Sequence, residues 1–305
     1  MSHLPIGAPV APAAAPAVVA GTASLPLARR LAEALDAPIV QREVRRFPDG
    51  EAYVRILDDL ADRDAIIVQS THPDPELVEM LLLQDAAREA RAASVTAVVP
   101  YLAYARQDRA FHPGEAVSSR AVALALSAAD LVITVDPHKE EVLRHFTCEA
   151  AAVTAVPQLA EALARHDVEA VLAPDKGARE RAGDAARILG VPFDHLEKTR
   201  LGPTEVRIQA KDLDVEGRRV AIVDDLIASG GTMREATRQL LDQGAAAVLA
   251  ACTHGLFTDG AVPKLLDAGV DRIVCTDTLP AEGCEVISAA PAVAARLREA
   301  ALHAG

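Results

Sequence analysis

Short runs of β-branched and aliphatic residues alternate along the chain with longer stretches in which apolar positions return every three or four residues. This alternation predicts βαβ units and a mostly parallel sheet covered by helices on both faces. The order is written twice. An apolar run Val18 to Gly21, a helical pattern through Leu35, Ala37-Pro38-Ile39 and a charged segment ending in Tyr53-Val54-Arg55-Ile56 make the first copy's opening. From Ala170 the same order returns: Val171-Leu172-Ala173, a helical pattern through Leu189, Val191-Pro192-Phe193, and a charged segment ending in Glu205-Val206-Arg207-Ile208. The offset is 154 residues at the proline and 152 at the Val-Arg-Ile. Ala65 to Val68 and Val220 to Val223 then keep step at an offset of 155. Helical patterns near Pro75 to Ala92 and Thr232 to Gly244 lead to further runs, Val95 to Val99 and Ala246 to Ala251, and Asp130 to Asp136 and Asp271 to Asp277 close the copies.

A near-constant offset over three consecutive elements indicates duplication. The expected architecture is α/β: two domains of similar topology, each a mostly parallel sheet flanked by helices. The expected bounds are a flexible Ala/Pro-rich tail over 1–17, a first domain over 18–153 and a second over 154–290. The helical stretch 291–305 is expected to pack back on the first domain.

The length of 305 residues is ample for two cores. With 31 basic residues against 44 acidic ones the net charge is −13, which argues against nucleic acid or an anionic membrane as partner. Five Phe, three Tyr and no Trp leave little for stacking on bases. Any phosphate must therefore be met by local chemistry. The cysteines, Cys148, Cys252, Cys275 and Cys284, have no CxxC spacing and lie in or beside apolar runs, so reduced thiols in a cytoplasmic protein are expected. The apolar stretch Ala8 to Gly21 is broken by Pro9, Pro12 and Pro16 and has no basic n-region, so it is neither a membrane span nor a signal peptide.

The sharpest chemistry follows the third strand of the second copy, Val220-Ala221-Ile222-Val223-Asp224-Asp225-Leu226-Ile227-Ala228-Ser229-Gly230-Gly231-Thr232. A buried strand delivers two acids, then a small-residue loop, then a helix start at Thr232. Glycines let successive N–H groups point at one anion, and the helix N-terminus adds partial positive charge. Thr232 offers a hydroxyl to that anion, and paired acids suit vicinal hydroxyls directly or through a cation. A phosphate cradle beside a diol clamp describes a site for a ribose 5-phosphate. The first copy has Gln69-Ser70-Thr71-His72-Pro73-Asp74 here, without the acids or glycines, and should not bind the same ligand in the same way.

These thirteen residues resemble the phosphoribosyl pyrophosphate signature of the type I phosphoribosyltransferase fold, so each domain is expected to be phosphoribosyltransferase-like. Five further segments resemble the ribose-phosphate pyrophosphokinase (phosphoribosyl pyrophosphate synthetase) family in order and spacing: Arg46-Phe47-Pro48-Asp49-Gly50-Glu51, Tyr104-Ala105-Arg106-Gln107-Asp108, Val135-Asp136-Pro137-His138, Ala173-Pro174-Asp175 and Leu196-Glu197-Lys198-Thr199-Arg200. The match runs from about Val18 to Leu297, and the segment after Gln107 and the string Leu196 to Arg207 look closer to the archaeal branch.

The resemblance implies transfer of the β,γ-diphosphoryl group of ATP to the anomeric hydroxyl of ribose 5-phosphate, giving phosphoribosyl pyrophosphate and AMP. It implies Lys198 and Arg200 as catalytic, on a polar segment Lys198 to Gly202 that reads as a loop, with Arg200 also reaching the ribose phosphate. It implies ATP binding by Phe47, Asp49, Gly50, Glu51, Arg106 and Gln107, the first strip coming from a neighbouring subunit. It also implies ribose 5-phosphate binding by Asp224, Asp225 and Ala228 to Thr232, and Mg²⁺ contacts from His138 and Asp175. His145, His166, His195 and His254 are assigned no role. Ala228 stands where many relatives carry an acid, which leaves only backbone at that position, and inhibition by ADP is not carried over. Two rivals remain. A phosphoribosyltransferase that consumes phosphoribosyl pyrophosphate would not need a second copy with an ATP strip, and a silent regulatory homologue would be expected to lose Lys198, Arg200, His138 or Asp175.

Overall fold

The structure, a computed structural model, describes residues 15–200, 206–210 and 213–304. The first copy runs β1 (Pro16–Ala20), α1 (Leu25–Leu35), β2 (Arg42–Arg46), β3 (Ala52–Ile56), β4 (Asp64–Val68), α2 (Asp74–Glu89), β5 (Ser94–Val99), α3 (Ser118–Leu126), β6 (Leu131–Val135) and β7 (Glu149–Val153), then α4 (Val156–Ala164). The second runs β8 (Ala170–Ala173), α5 (Arg179–Leu189), β9 (Phe193–Arg200), β10 (Val206–Ala210), β11 (Arg219–Ile227), α6 (Gly231–Asp242), β12 (Ala247–Gly255), α7 (Ala261–Asp267), β13 (Val270–Thr276) and β14 (Glu285–Ile287), then α8 (Ala290–Ala304).

Two sheets carry the same parallel order, β1-β4-β5-β6-β7 and β8-β11-β12-β13-β14. All residues of β6 and of β12 are buried, as central strands covered on both faces require. The hairpins part the copies. In the second, β9 joins the edge of β8 and pairs antiparallel with β10, whereas β2 and β3 form a separate two-stranded sheet that packs on α2.

Each copy's last helix crosses to the other. Val156, Leu159, Ala160 and Leu163 of α4 pack with Ala182, Ala185 and Ala186 of α5, while Ala290, Val293, Ala294 and Leu297 of α8 pack with Leu27, Ala28 and Leu31 of α1. The two apolar faces so covered make the copies one body.

Several expectations shift. β1 begins at Pro16, inside the stretch assigned to the tail, and residues 1–14 lie outside the described residues. α6 begins at Gly231 rather than Thr232, and Asp224 and Asp225 lie within β11 rather than after it, because parallel pairing with β12 continues to Ile227. Lys198 to Arg200 are extended and not a loop, because antiparallel pairing with Val206 to Ile208 of β10 overrides the weak strand propensity of charged residues. All four cysteines are free thiols. Among the described residues no helix is long and apolar enough to cross a membrane.

Candidate active site

A cleft of about 820 Å³ opens where the carboxyl ends of strands from both copies meet, the usual ligand position in such sheets. The first copy supplies Arg106 after β5 and His138 and Lys139 after β6. The second supplies Asp175 to Ala178 after β8, Arg181 from α5, and Asp224 to Met233 from the end of β11 into α6. Of the sequence-derived candidates, Arg106, His138, Asp175, Asp224, Asp225 and Ala228 to Thr232 are thus brought together.

The loop expected to cradle an anion, Ala228 to Thr232, lines the cleft and runs into the start of α6. Gly230 is the residue before α6 and has φ of +70°, a left-handed conformation that glycine adopts without steric cost. Ser229, Gly231 and Thr232 around it are open to the cleft. Asp175 serves its own turn in part: Oδ1 accepts from the N–H groups of Gly177 and Ala178 at 2.8 and 3.2 Å.

The acids of β11 are less ordinary. Asp225 Oδ2 lies 2.8 Å from His138 Nδ1, joining the two copies across the cleft floor. The Asp225 N–H donates to Asp224 Oδ1 at 2.8 Å. Burial, the shared hydrogen bond with Asp225 and the charges of Asp225 and Asp175 push the Asp224 carboxyl up to about 8. Burial also acts upward on Asp225, but hydrogen bonds with His138 and Asp224 and the charges of Arg181 and His138 outweigh it and hold that carboxyl below the usual range. The two neighbouring acids thus differ, Asp225 holding its charge and Asp224 holding its proton more firmly than a free carboxyl. Among the described residues no three His, Cys, Asp or Glu side chains form a metal cage. That pattern fits Mg²⁺, which takes one or two carboxylates and completes its shell with phosphate and water.

Other candidates stand apart. Phe47, Asp49, Gly50 and Glu51 form the tip between β2 and β3 and do not line the cleft. Gly50 has φ of +95°, the Glu51 N–H donates to Asp49 Oδ1 at 3.1 Å, and the Arg45 guanidinium lies 4.7 Å from the centre of the exposed Phe47 ring. Gln107 is turned to the carbonyl of Arg109 at 3.1 Å. The backbone of Lys198 and Arg200 lies in β9, and their side chains lie outside the described residues. Because β9 is parallel to β8 with His195 opposite Ala173, residues 196–200 run on past the carboxyl end of β8, the end that bears Asp175. At 3.3 Å per residue, position 198 is about 10 Å beyond that level.

Sequence reasoning missed Lys139, Lys176 and Arg181. Lys139 Nζ donates to Asp108 Oδ2 at 2.7 Å, and Arg181 Nη2 donates to the Pro137 carbonyl at 2.6 Å. Lys176 had a signal, since it sits in a short Asp-Lys-Gly loop leading to a helix N-terminus. Arg181 had none, for it reads as one more solvated arginine on α5.

With this geometry, comparison with known proteins is consistent. A family model described as the N-terminal domain of ribose phosphate pyrophosphokinase matches residues 17–129, and one described as a phosphoribosyl transferase domain matches residues 139–285. Ribose-phosphate pyrophosphokinase of Methanopyrus kandleri is 50% identical over 91% of this chain and 97% of its own length, and that of Methanosarcina acetivorans 42% identical over 92% and 99%. The crystal structure of phosphoribosylpyrophosphate synthetase from Mycobacterium smegmatis superposes with a TM-score of 0.83 at 31% identity, covering 95% of this chain and all of that one.

Proposed function

The chain belongs to the ribose-phosphate pyrophosphokinase family, and from that premise we propose that it transfers the diphosphoryl group of ATP to the C1 hydroxyl of ribose 5-phosphate, yielding phosphoribosyl pyrophosphate and AMP. The observation that carries the reading is the single cleft in which the β11 acids and glycine loop of one copy face Arg106 and His138 of the other.

The amides of Ala228 to Thr232 and the Thr232 hydroxyl bind the 5-phosphate, and Asp224 and Asp225 hold the ribose hydroxyls. Asp175 and His138 would hold Mg²⁺, His138 through its Nε2 or a water because Nδ1 faces Asp225. Bound there, the ion supplies neutralisation of phosphate charge. Arg106 meets nucleotide phosphate. Lys198 stabilises the charge that develops on the transferring group, and Arg200 assists it and reaches the ribose phosphate. Such transfer depends on in-line positioning and charge neutralisation more than on covalent chemistry by the protein. Phe47, Asp49, Gly50 and Glu51, remote from their own chain's cleft, complete the ATP site of a neighbouring subunit, so the active form is a homo-oligomer. Gln107 supports the ATP side beside Arg106. Four free thiols agree with work in a reducing cytoplasm.

Two measurements follow. Given phosphoribosyl pyrophosphate and a panel of adenine, hypoxanthine, uracil and orotate, the protein is expected to form no nucleotide; formation of one would favour the phosphoribosyltransferase reading. Gly230→Ala is expected to raise KM for ribose 5-phosphate about tenfold, since a left-handed backbone costs a non-glycine residue about 1–2 kcal/mol. The new Cβ would also lie 3.3 Å from Leu265 Cγ, tight enough to move the loop. An unchanged KM would remove the loop amides from phosphate binding.

A further inference from the structure

We infer that Arg181 and Asp136 clamp the two copies together so as to position His138, an inference that rests on the proposed function. Asp136 directly follows β6, is buried, and has φ of +36°. A non-glycine residue in that region is strained and persists only where its surroundings hold it. Here they do. Its N–H donates to the Val153 carbonyl at 2.9 Å, and its Oδ2 accepts from the Ala155 N–H at 3.0 Å, both within the first copy. From the second copy, Thr253 Oγ1 donates to the same Oδ2 at 2.7 Å, and His254 Nε2 lies 3.2 Å from the Asp136 carbonyl oxygen. Arg181 completes the grip, with Nε 4.0 Å from Asp136 Oδ1 and Nη2 donating to the Pro137 carbonyl at 2.6 Å.

The two residues before His138 are therefore fixed by three side chains of the other copy. The His138 ring itself is 40% exposed, and its hydrogen-bond partner is Asp225. Its place in the cleft is thus set by this backbone together with the one bond to Asp225. Arg181 is 18% exposed, and its charge-assisted bond goes to that backbone, so it acts through His138 as a positioning residue.

The duplication supplies a comparison inside the same molecule. Asp277 follows β13 as Asp136 follows β6. Its N–H donates to the Ile287 carbonyl at 2.9 Å, its Oδ1 accepts from the Ala289 N–H at 2.8 Å, and its Oδ2 accepts from Ser288 Oγ at 3.0 Å and from Arg30 Nη1 of α1 at 2.7 Å. Each copy's first helix thus sends an arginine to the aspartate of the other. The pairs differ in where the arginine makes its short bond, to the carboxylate for Arg30 and to the next carbonyl for Arg181. Arg30 stops at the Asp277 carboxylate, and the residue two beyond is Leu279, on a smaller cleft of about 340 Å³. Arg181 instead reaches the carbonyl next to His138. One pair docks the copies, and the other docks them and aims a side chain.

The test is a double-mutant cycle of Arg181→Gln with His138→Ala, read by AMP formation, with Arg30→Gln as the docking control. Arg181→Gln should lower kcat by about 10- to 100-fold, the scale of a misplacement near 1 Å. In the His138→Ala background it should cost less than about threefold, because residues acting as a unit are non-additive. Arg30→Gln should lower Tm and leave kcat within about twofold. Multiplicative losses would overturn the inference and put Arg181 on substrate directly. Should Arg181→Gln not fold, Arg181→Lys carries the same cycle, keeping the charge and losing the flat fork. A second readout needs no substrate: amide exchange over Asp136 to Lys139 should quicken in the Arg181 variant and not in Arg30→Gln. Equal exchange in both would also overturn it. Absence of AMP from the unaltered protein would instead sink the proposed function, while the exchange result would still decide the clamp.

Discussion

Replacing Lys198 by alanine is expected to lower kcat by two to three orders of magnitude with little change in KM for ribose 5-phosphate. A positioned donor aimed at charge that develops in the transition state is worth about 3 kcal/mol in a site that excludes water. A loss in kcat without a loss in KM marks an interaction made in the transition state alone. β9 gives the physical setting. Its first residues are paired to β8, and the rest continues as a ribbon with β10 past the strand end that bears Asp175. Positions 198 and 200, two apart on an extended strand, share a face, so Arg200→Ala is expected to lower kcat as well. Steady-state kinetics, with Tm as a check on folding, decide the matter. An unchanged kcat in a folded Lys198→Ala variant would remove it from the chemistry.

The second large effect concerns the hairpin tip. Phe47→Ala combined with Glu51→Ala should nearly abolish activity at ordinary ATP concentration, although neither residue lines the cleft of its own chain. Phe47 offers an exposed apolar face beside Tyr53, with Arg45 stacked against both rings, and Glu51 offers a carboxylate at the turn. On the proposed reading, in which the hairpin tip completes a neighbour's site, mixing this variant with Lys198→Ala should restore activity at about a quarter of the sites in random two-chain pairing. Mixing after mild dissociation and assaying the product would read it. No recovery from any mixture, with oligomers re-formed, would mean that each chain completes its own site.

Much of this was legible because duplication repeats its periodicity. The apolar runs at β4, β5, β6, β11 and β13 were found within a few residues, and the β11 acids with their glycine loop identified one cleft wall. Less was legible where composition works against conformation. Glu149-Ala-Ala-Ala-Val is alanine-rich, with weak strand propensity, yet it forms β7 because β6 offers a free parallel edge. Lys198 to Arg200 read as a loop by their polarity, and pairing with β10 makes them a strand. Arg181, Lys139 and the inter-copy contacts of Asp136 escaped for another reason. Their partners lie in the other copy or on a separate loop, and no local spacing encodes a contact made only when the copies dock. The net charge of −13 says little about the cleft itself, which is lined by Arg106, Lys139, Lys176 and Arg181 beside its three acids.

The central claim is that the anomeric hydroxyl attacks the β-phosphorus of ATP, so the nucleotide product is decisive. With ATP, Mg²⁺ and ribose 5-phosphate, chromatography of the products should give AMP and phosphoribosyl pyrophosphate in equal amounts, whereas ADP with a ribose bisphosphate would contradict the account.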